Sequence, residues 1–227
     1  MTGEEIIYSI LNTYRGGKIS DDEPLSDRFI LGLCNAARAI LIRQQYDRGQ
    51  TLSDNIIQPI DCLSVTQVDS STNLNLPSEC YIVRSSLRLP KPVETKYKDL
   101  IVSISSPEIG GIPFELVPYS RLPFALSGRF NKLTCKIALK DGYLYIINAP
   151  FMKSITVDGV WANPLELINY TNCSGNTCWS LKSPYPLSEH LCNTVIDMVL
   201  LKLRGPGIPN DQINDASGNV QPTTENK

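Results

Sequence analysis

Tyr14-Arg15-Gly16-Gly17-Lys18-Ile19-Ser20-Asp21-Asp22-Glu23-Pro24-Leu25 joins two amphipathic helices, and the fold follows from what stands on either side of it. Upstream, Thr2 and Glu5 have the spacing of a capping box, in which each side chain satisfies a backbone N–H that the first helical turn leaves without a partner. The spacing predicts a helix from about Gly3 to Tyr14 that buries Ile6, Ile7, Ile10 and Leu11, with Gly16 or Gly17 supplying the left-handed stop. Downstream, Ser20 and Glu23 repeat the box, and Pro24 suits the first helical position. The second helix then continues to Tyr46-Asp47-Arg48-Gly49, with an apolar stripe of Leu25, Phe29, Leu33, Ala36 and Ile40. Arg38, Arg43, Gln44 and Gln45 place long polar side chains close to its end, so this helix reads as a docking element.

From Asn55 to about Val160 the period changes to short apolar or alternating runs divided by Pro, Gly, Asn and Asp. Strands are predicted at Cys62–Val68, Tyr81–Leu89, Leu100–Ser105, Phe114–Pro118, Leu133–Leu139, Tyr143–Ile147 and Ser154–Val160. Lys140-Asp141-Gly142 is a hairpin turn between two of them. After Pro186 the helical period returns through Leu187, Leu191, Val195, Ile196, Val199, Leu200 and Leu203, closed by Arg204-Gly205-Pro206. Apolar residues cover most of that helix, which suits the middle of a bundle or a subunit contact.

The expected fold is therefore α+β: a helical bundle from the N- and C-terminal helices, with an inserted antiparallel β-rich domain. Its expected parts are bundle helices over 1–54, the β-rich insertion over 55–165, a loop and closing helix over 166–205, and a tail over 206–227. That tail is too poor in large apolar groups to offset the entropy of ordering by itself.

Composition narrows the function. At 227 residues and 42% hydrophobic, the chain can bury a proper core. A net charge of -2 lacks the clustered basic excess of a nucleic-acid reader. No run approaches the roughly 18 residues of apolar sequence that span a bilayer, so no membrane partner is expected. The seven cysteines are odd in number, and Cys34 and Cys192 fall on apolar helix faces, which favours reduced thiols. Cys173 and Cys178 are spaced too widely for a zinc knuckle and have no second pair, so a turn between strands is the expected reading.

Chemistry is hard to find. His190 is the sole histidine, in the first turn of the last helix, with no second histidine to make a metal site. Arg15-Gly16-Gly17-Lys18 follows a helix rather than a strand and lacks phosphate-loop spacing. Asp21-Asp22-Glu23 complements a helix N-terminus. No catalytic residue, cofactor or metal is expected. A thiol-dependent enzyme using Cys173 or Cys178 with His190, and a nucleic-acid-binding module, stand as the alternatives from other classes.

Ile10 to Glu23, the run Arg38-Ala39-Ile40-Leu41-Ile42-Arg43-Gln44-Gln45, and the segment Ser154-Ile155-Thr156-Val157-Asp158-Gly159-Val160-Trp161-Ala162-Asn163-Pro164 carry a family resemblance. The chain resembles the ring, or head-tail connector, proteins of crAss-like and related short-tailed bacteriophages, and more distantly tail tubular protein A. The resemblance implies a structural, non-enzymatic virion protein, assembled in the bacterial host cytoplasm. It implies a homo-oligomeric, dodecameric ring in the neck or tail, linking the portal protein to adjacent ring or tail proteins. Double-stranded DNA would pass through the channel without sequence-specific binding. The interface candidates are then Arg15, Lys18, Arg38, Arg43, Gln44, Gln45 and Arg204.

Overall fold

The computed structural model describes residues 1–16, 25–69, 81–106, 114–122, 135–149 and 152–204. Helix α1 (Gly3–Tyr14) begins on the capping box that the sequence predicts. Glu5 N donates to Thr2 Oγ1 at 3.2 Å, and Thr2 N donates to Glu5 Oε2 at 2.8 Å. Gly16 takes the left-handed conformation just past its end, with φ 61°. Helix α2 (Asp27–Asp47) starts later than the sequence suggests, because Ser26 is its N-cap and accepts from Phe29 N at 3.2 Å. The expected box of Ser20 and Glu23 lies outside the described residues. Helix α3 (Glu189–Arg204) closes the described chain and packs on both α1 and α2.

Each predicted strand segment overlaps a strand, with β1 starting four residues before its predicted segment: β1 (Gln58–Val68), β2 (Ile82–Ser85), β3 (Ile101–Ser105), β4 (Glu115–Leu116), β5 (Lys136–Lys140), β6 (Tyr143–Ile147) and β7 (Ser154–Gly159). They form one seven-stranded sheet in the order β3-β7-β1-β2-β6-β5-β4. All pairs are antiparallel except β4 with β5, which is parallel. The turn between β5 and β6 is the two-residue connection read from the sequence. Asp141 and Gly142 both take positive φ, 53° and 79°, the twist that matches a right-handed hairpin. Phe114 N donates to Ile104 O at 2.7 Å, which bends the two ends of the sheet toward one another, close to a barrel.

This corrects the expected fold class. The molecule is a near-barrel sheet with a helical layer on it, rather than a helical bundle carrying an extruded β-domain. The reason lies in what the helices bury. Ile6 and Ile10 of α1, Ile30, Leu31 and Ile42 of α2, and Val195 and Val199 of α3 belong to one hydrophobic cluster with Leu63, Val83, Ile104, Ile137, Leu144, Ile146, Ile155 and Val157 of the sheet. The inner faces of the helices and of the strands belong to the same cluster, so sheet and helices share one core. A smaller cluster of Ile82, Leu122, Ala138, Tyr145 and Ile147 packs elsewhere on the sheet.

Candidate functional site

Helix α2 has apolar residues at helical spacing on two sides. Its core side carries Ile30, Leu31, Cys34, Asn35, Ala37, Arg38 and Ile42. Of the stripe singled out from the sequence, Phe29, Ala36 and Ile40 face the other way, while Leu25 and Leu33 pack against the edge of the core. Phe29 is 51% exposed and Ile40 41%, Gly32 and Ala36 are exposed, and Leu25 and Leu33 are half-buried. A helix that contacts one neighbour needs one apolar face, so a second one in solvent is surplus to the folded chain. Further exposed apolar groups stand on the adjacent helices, Tyr8 of α1 at 72% and Leu201 of α3 at 71%. Helix α3 thus has a solvent side, formed by His190, Asn193, Thr194, Asp197 and Leu201, and is less enclosed than its sequence suggests.

Opposite the exposed stripe lies a buried polar hub. Arg38 is wholly buried; its Nε donates to Pro186 O at 2.6 Å and its Nη1 to Trp161 O at 2.7 Å. Its guanidinium also sits 6.0 Å from the centre of the Tyr185 ring. Tyr185 Oη donates to Asn35 Oδ1 at 2.9 Å, and Asn35 Nδ2 donates to Asn163 Oδ1 at 2.9 Å. Asn163 Oδ1 in turn caps the 3-10 turn Pro164–Asn169. Trp161 Nε1 donates to Gln58 O at 3.1 Å, which ties the network to the start of β1. Among the described residues Arg38 makes no ion pair, and burial pulls its pKa down to about 10, leaving it charged at neutral pH. The hub joins α2, the end of β7 and the segment before α3.

The other interface candidates are scattered. Arg43 is exposed, but its Nε donates to Glu94 O at 2.7 Å, while Asp47 Oδ1 accepts from Lys96 N at 3.2 Å. Gln44 is exposed and Gln45 half-buried, Arg15 is half-buried at the C-cap of α1, and Arg204 is exposed at the end of α3. Lys18 lies outside the described residues. Arg38 is thus set apart from the rest, in the interior of its own chain. Arg38 lies in the middle of α2, and its burial is decided by partners remote in sequence, which is why the sequence reading grouped it with Arg43.

A basic and aromatic row on the sheet escaped the sequence reading altogether. Arg84 lies 4.6 Å and Arg88 5.8 Å from the centre of the Tyr143 ring, and Lys140 Nζ lies 4.7 Å from that of Tyr119. These cations come from separate segments, so only the register of β2, β5 and β6 assembles them. Arg88 Nε also donates to Asp141 O at 3.0 Å, and Lys140 Nζ to Tyr119 Oη at 3.2 Å.

His190 is exposed on the solvent side of α3. Cys34 and Cys192 are buried, and burial pushes the Cys34 thiol up to about 12. Cys173 is bonded to Cys62, which corrects the expectation of reduced thiols throughout. The grooves beside β3 and at the corner of α2 with Asn163, of about 470 and 490 Å³, have neither cysteine nor histidine in their walls. Among the described residues no group of three His, Cys, Asp or Glu side chains could hold a metal ion. No helix among them is long and apolar enough to cross a membrane.

Among the described residues, α2 thus has a buried polar hub on one side and exposed apolar groups on the other. Residues 5–224 match the family model described as phage tail ring protein 2, and the chain belongs to that family. It is similar to Ring protein 2 of Bacteroides phage crAss001, at 24% identity over 236 residues, 97% of this chain and 98% of that protein.

Proposed function

We propose that the chain is the repeating subunit of a closed ring in the phage neck or tail, with the outward face of α2 as one half of the contact between neighbouring copies. The observation that carries this reading is the solvent-facing row of Phe29, Gly32, Ala36 and Ile40, on a helix whose other side already fills the core. Gly32 and Ala36 keep the middle of the row flat, so a neighbouring element can approach closely. A ring contact is heterologous, so the row meets a different face of the next copy. Arg43, Gln44 and Gln45 near the end of α2, Arg15 and Arg204 at the ends of α1 and α3, and Lys18 of the connector are proposed as polar contacts of the same assembly.

In this reading the ring is a dodecamer, as the family resemblance implies, and its two open sides contact the portal and the next ring or tail protein. Double-stranded DNA passes through it without being gripped. The engagement of Arg88 and Lys140 by tyrosine rings and by acceptors of their own chain supports weak, sequence-independent contact with phosphates. The part is structural rather than enzymatic, and the ring assembles in the host cell before it joins the particle.

Native mass spectrometry of the purified 25.2 kDa chain, with the Ile40→Asp variant beside it, tests the contact. A ring of about 300 kDa for the parent chain, and folded monomer for the variant, is the expected result. A variant that assembles like the parent removes α2 from the interface. A parent chain that forms no ring, alone or in virions, removes the reading itself.

A further inference from the structure

Ring assembly leaves the Cys173 turn unused. Cys62 and Cys173 lie 111 residues apart in sequence, yet their Cα atoms are 5.2 Å apart and their sulfurs are bonded. Each is placed by structure that does not involve the bond. Cys62 sits at the bulge of β1, between the pairs Ile60↔Val157 and Leu63↔Ile155, with φ 53°. A non-glycine residue in that conformation is held there by its surroundings, here by the ladder on both sides.

Cys173 rides on a turn closed by the Thr171↔Thr177 bridge. Asn172 N donates to Asn176 O at 2.8 Å, and Asn172 Oδ1 accepts from both Ser174 N and Asn176 N at 3.0 Å. Gly175 supplies the positive φ, and Cys178 N donates to Tyr170 O at 2.9 Å to fix the far side. Both cysteines are thus delivered by the non-covalent fold, which means that the dithiol can fold first and the bond can follow.

Their surroundings differ in a way that sets an order. Cys173 is exposed and Cys62 half-buried. Cys178, which lies near Asp61, is half-buried, and burial pushes its thiol up, so it is the poorer nucleophile.

We propose that Cys62 and Cys173 form a redox-set clip, open as a dithiol when the chain folds and closed afterwards by exchange with a low-molecular-weight disulfide. The exposed Cys173 thiolate attacks one sulfur of the small disulfide, forming a mixed disulfide and releasing one small thiolate. Cys62 then attacks the Cys173 sulfur, the protein bond forms, and the second small thiolate leaves. Two electrons pass from the cysteine pair to the small disulfide, and the two cysteine protons end on the two released thiols. Closure pins the strap from Trp161 to Leu187, which carries the acceptors of Arg38, to strand β1. It leaves the ring-facing side of α2 untouched.

The test uses the full chain purified under reducing conditions and then incubated with oxidised glutathione. Thiols titrated in denaturant are expected to fall by two from the seven of the sequence, and peptide mapping to join Cys62 to Cys173. The melting temperature is expected to rise on oxidation by roughly 10 °C, the scale for closing so long a loop in a chain of this size. Cys173→Ser is expected to lose no pair of thiols and to show no rise. The clip is refuted if the parent chain keeps all its thiols, if Cys62 is found joined to another cysteine, or if Cys173→Ser gains the same thermal shift.

Discussion

The indole of Trp161 lies so close over Gly159 that a β-carbon at that glycine would stand 2.8 Å from Cζ2 of the ring. Gly159 is the last residue of β7 and pairs with Gln58 on one side and Ile101 on the other, so its backbone cannot retreat. Trp161 is fully buried and held by its bond to Gln58 O, so the ring cannot retreat either. Gly159→Ala is therefore expected to lose about 1 to 3 kcal/mol, as overpacking of a tight core does. A urea titration reads it, and an unchanged midpoint would mean that the indole moves.

Arg38→Ala removes both donors from the carbonyls of Trp161 and Pro186 and opens a cavity beneath α2. A loss of about 3 kcal/mol is expected, since two buried acceptors are orphaned while the cost of burying the charge is relieved. The damage should appear in the isolated chain, as a lowered melting temperature. If Arg38→Ala folds with undiminished stability but fails to assemble, the guanidinium serves a neighbour and the hub has been misread.

The two helix caps give a matched pair. Thr2→Ala and Ser26→Ala each remove a side-chain acceptor from the first turn of a helix, and each is expected to cost about 1 kcal/mol in chemical denaturation. Thr2→Ala should be the milder of the two, because the backbone N–H of residue 2 is kept and still donates to Glu5.

Cys34 gives a pH dependence with a definite sign. Burial raises its pKa from 9.0 to about 12, so above pH 9 the unfolded chain releases a proton that the folded chain keeps. The stability contribution is full below pH 9 and is lost as the pH rises toward 12. Cys34→Ala abolishes that loss, so between pH 8 and 10 the parent should lose about 1 kcal/mol more than the variant. Equal slopes for the two would show that the Cys34 thiol ionises freely in the fold.

The strands were legible because turn residues bracket each apolar run. Asp141-Gly142 even fixed the connection of β5 to β6, through a conformation few other dipeptides adopt. The first capping box was legible for a similar reason, since its two side chains need only each other. The architecture was not. Two apolar stripes at helical spacing lie on α2, one through Phe29, Ala36 and Ile40 and the other through Ile30, Ala37 and Ile42, and periodicity cannot choose between them. The choice is made by the strap from Trp161 to Pro186, whose two end carbonyls accept from Arg38 Nη1 and Nε and whose Asn163 accepts from Asn35, so the side carrying Arg38 and Asn35 turns inward. Those partners are remote in sequence, as is Cys173 from Cys62, and no local pattern announces them.

Arg38 has its acceptors 123 and 148 residues further along the chain. During synthesis, α2 emerges long before either carbonyl exists, so its arginine cannot settle until almost the whole polypeptide has left the ribosome. Contacts of such span close slowly, because the intervening loop must be ordered first. Half-made chains therefore lack the bonds that seat α2, and the helix layer is finished only when the strap from Trp161 to Pro186 arrives.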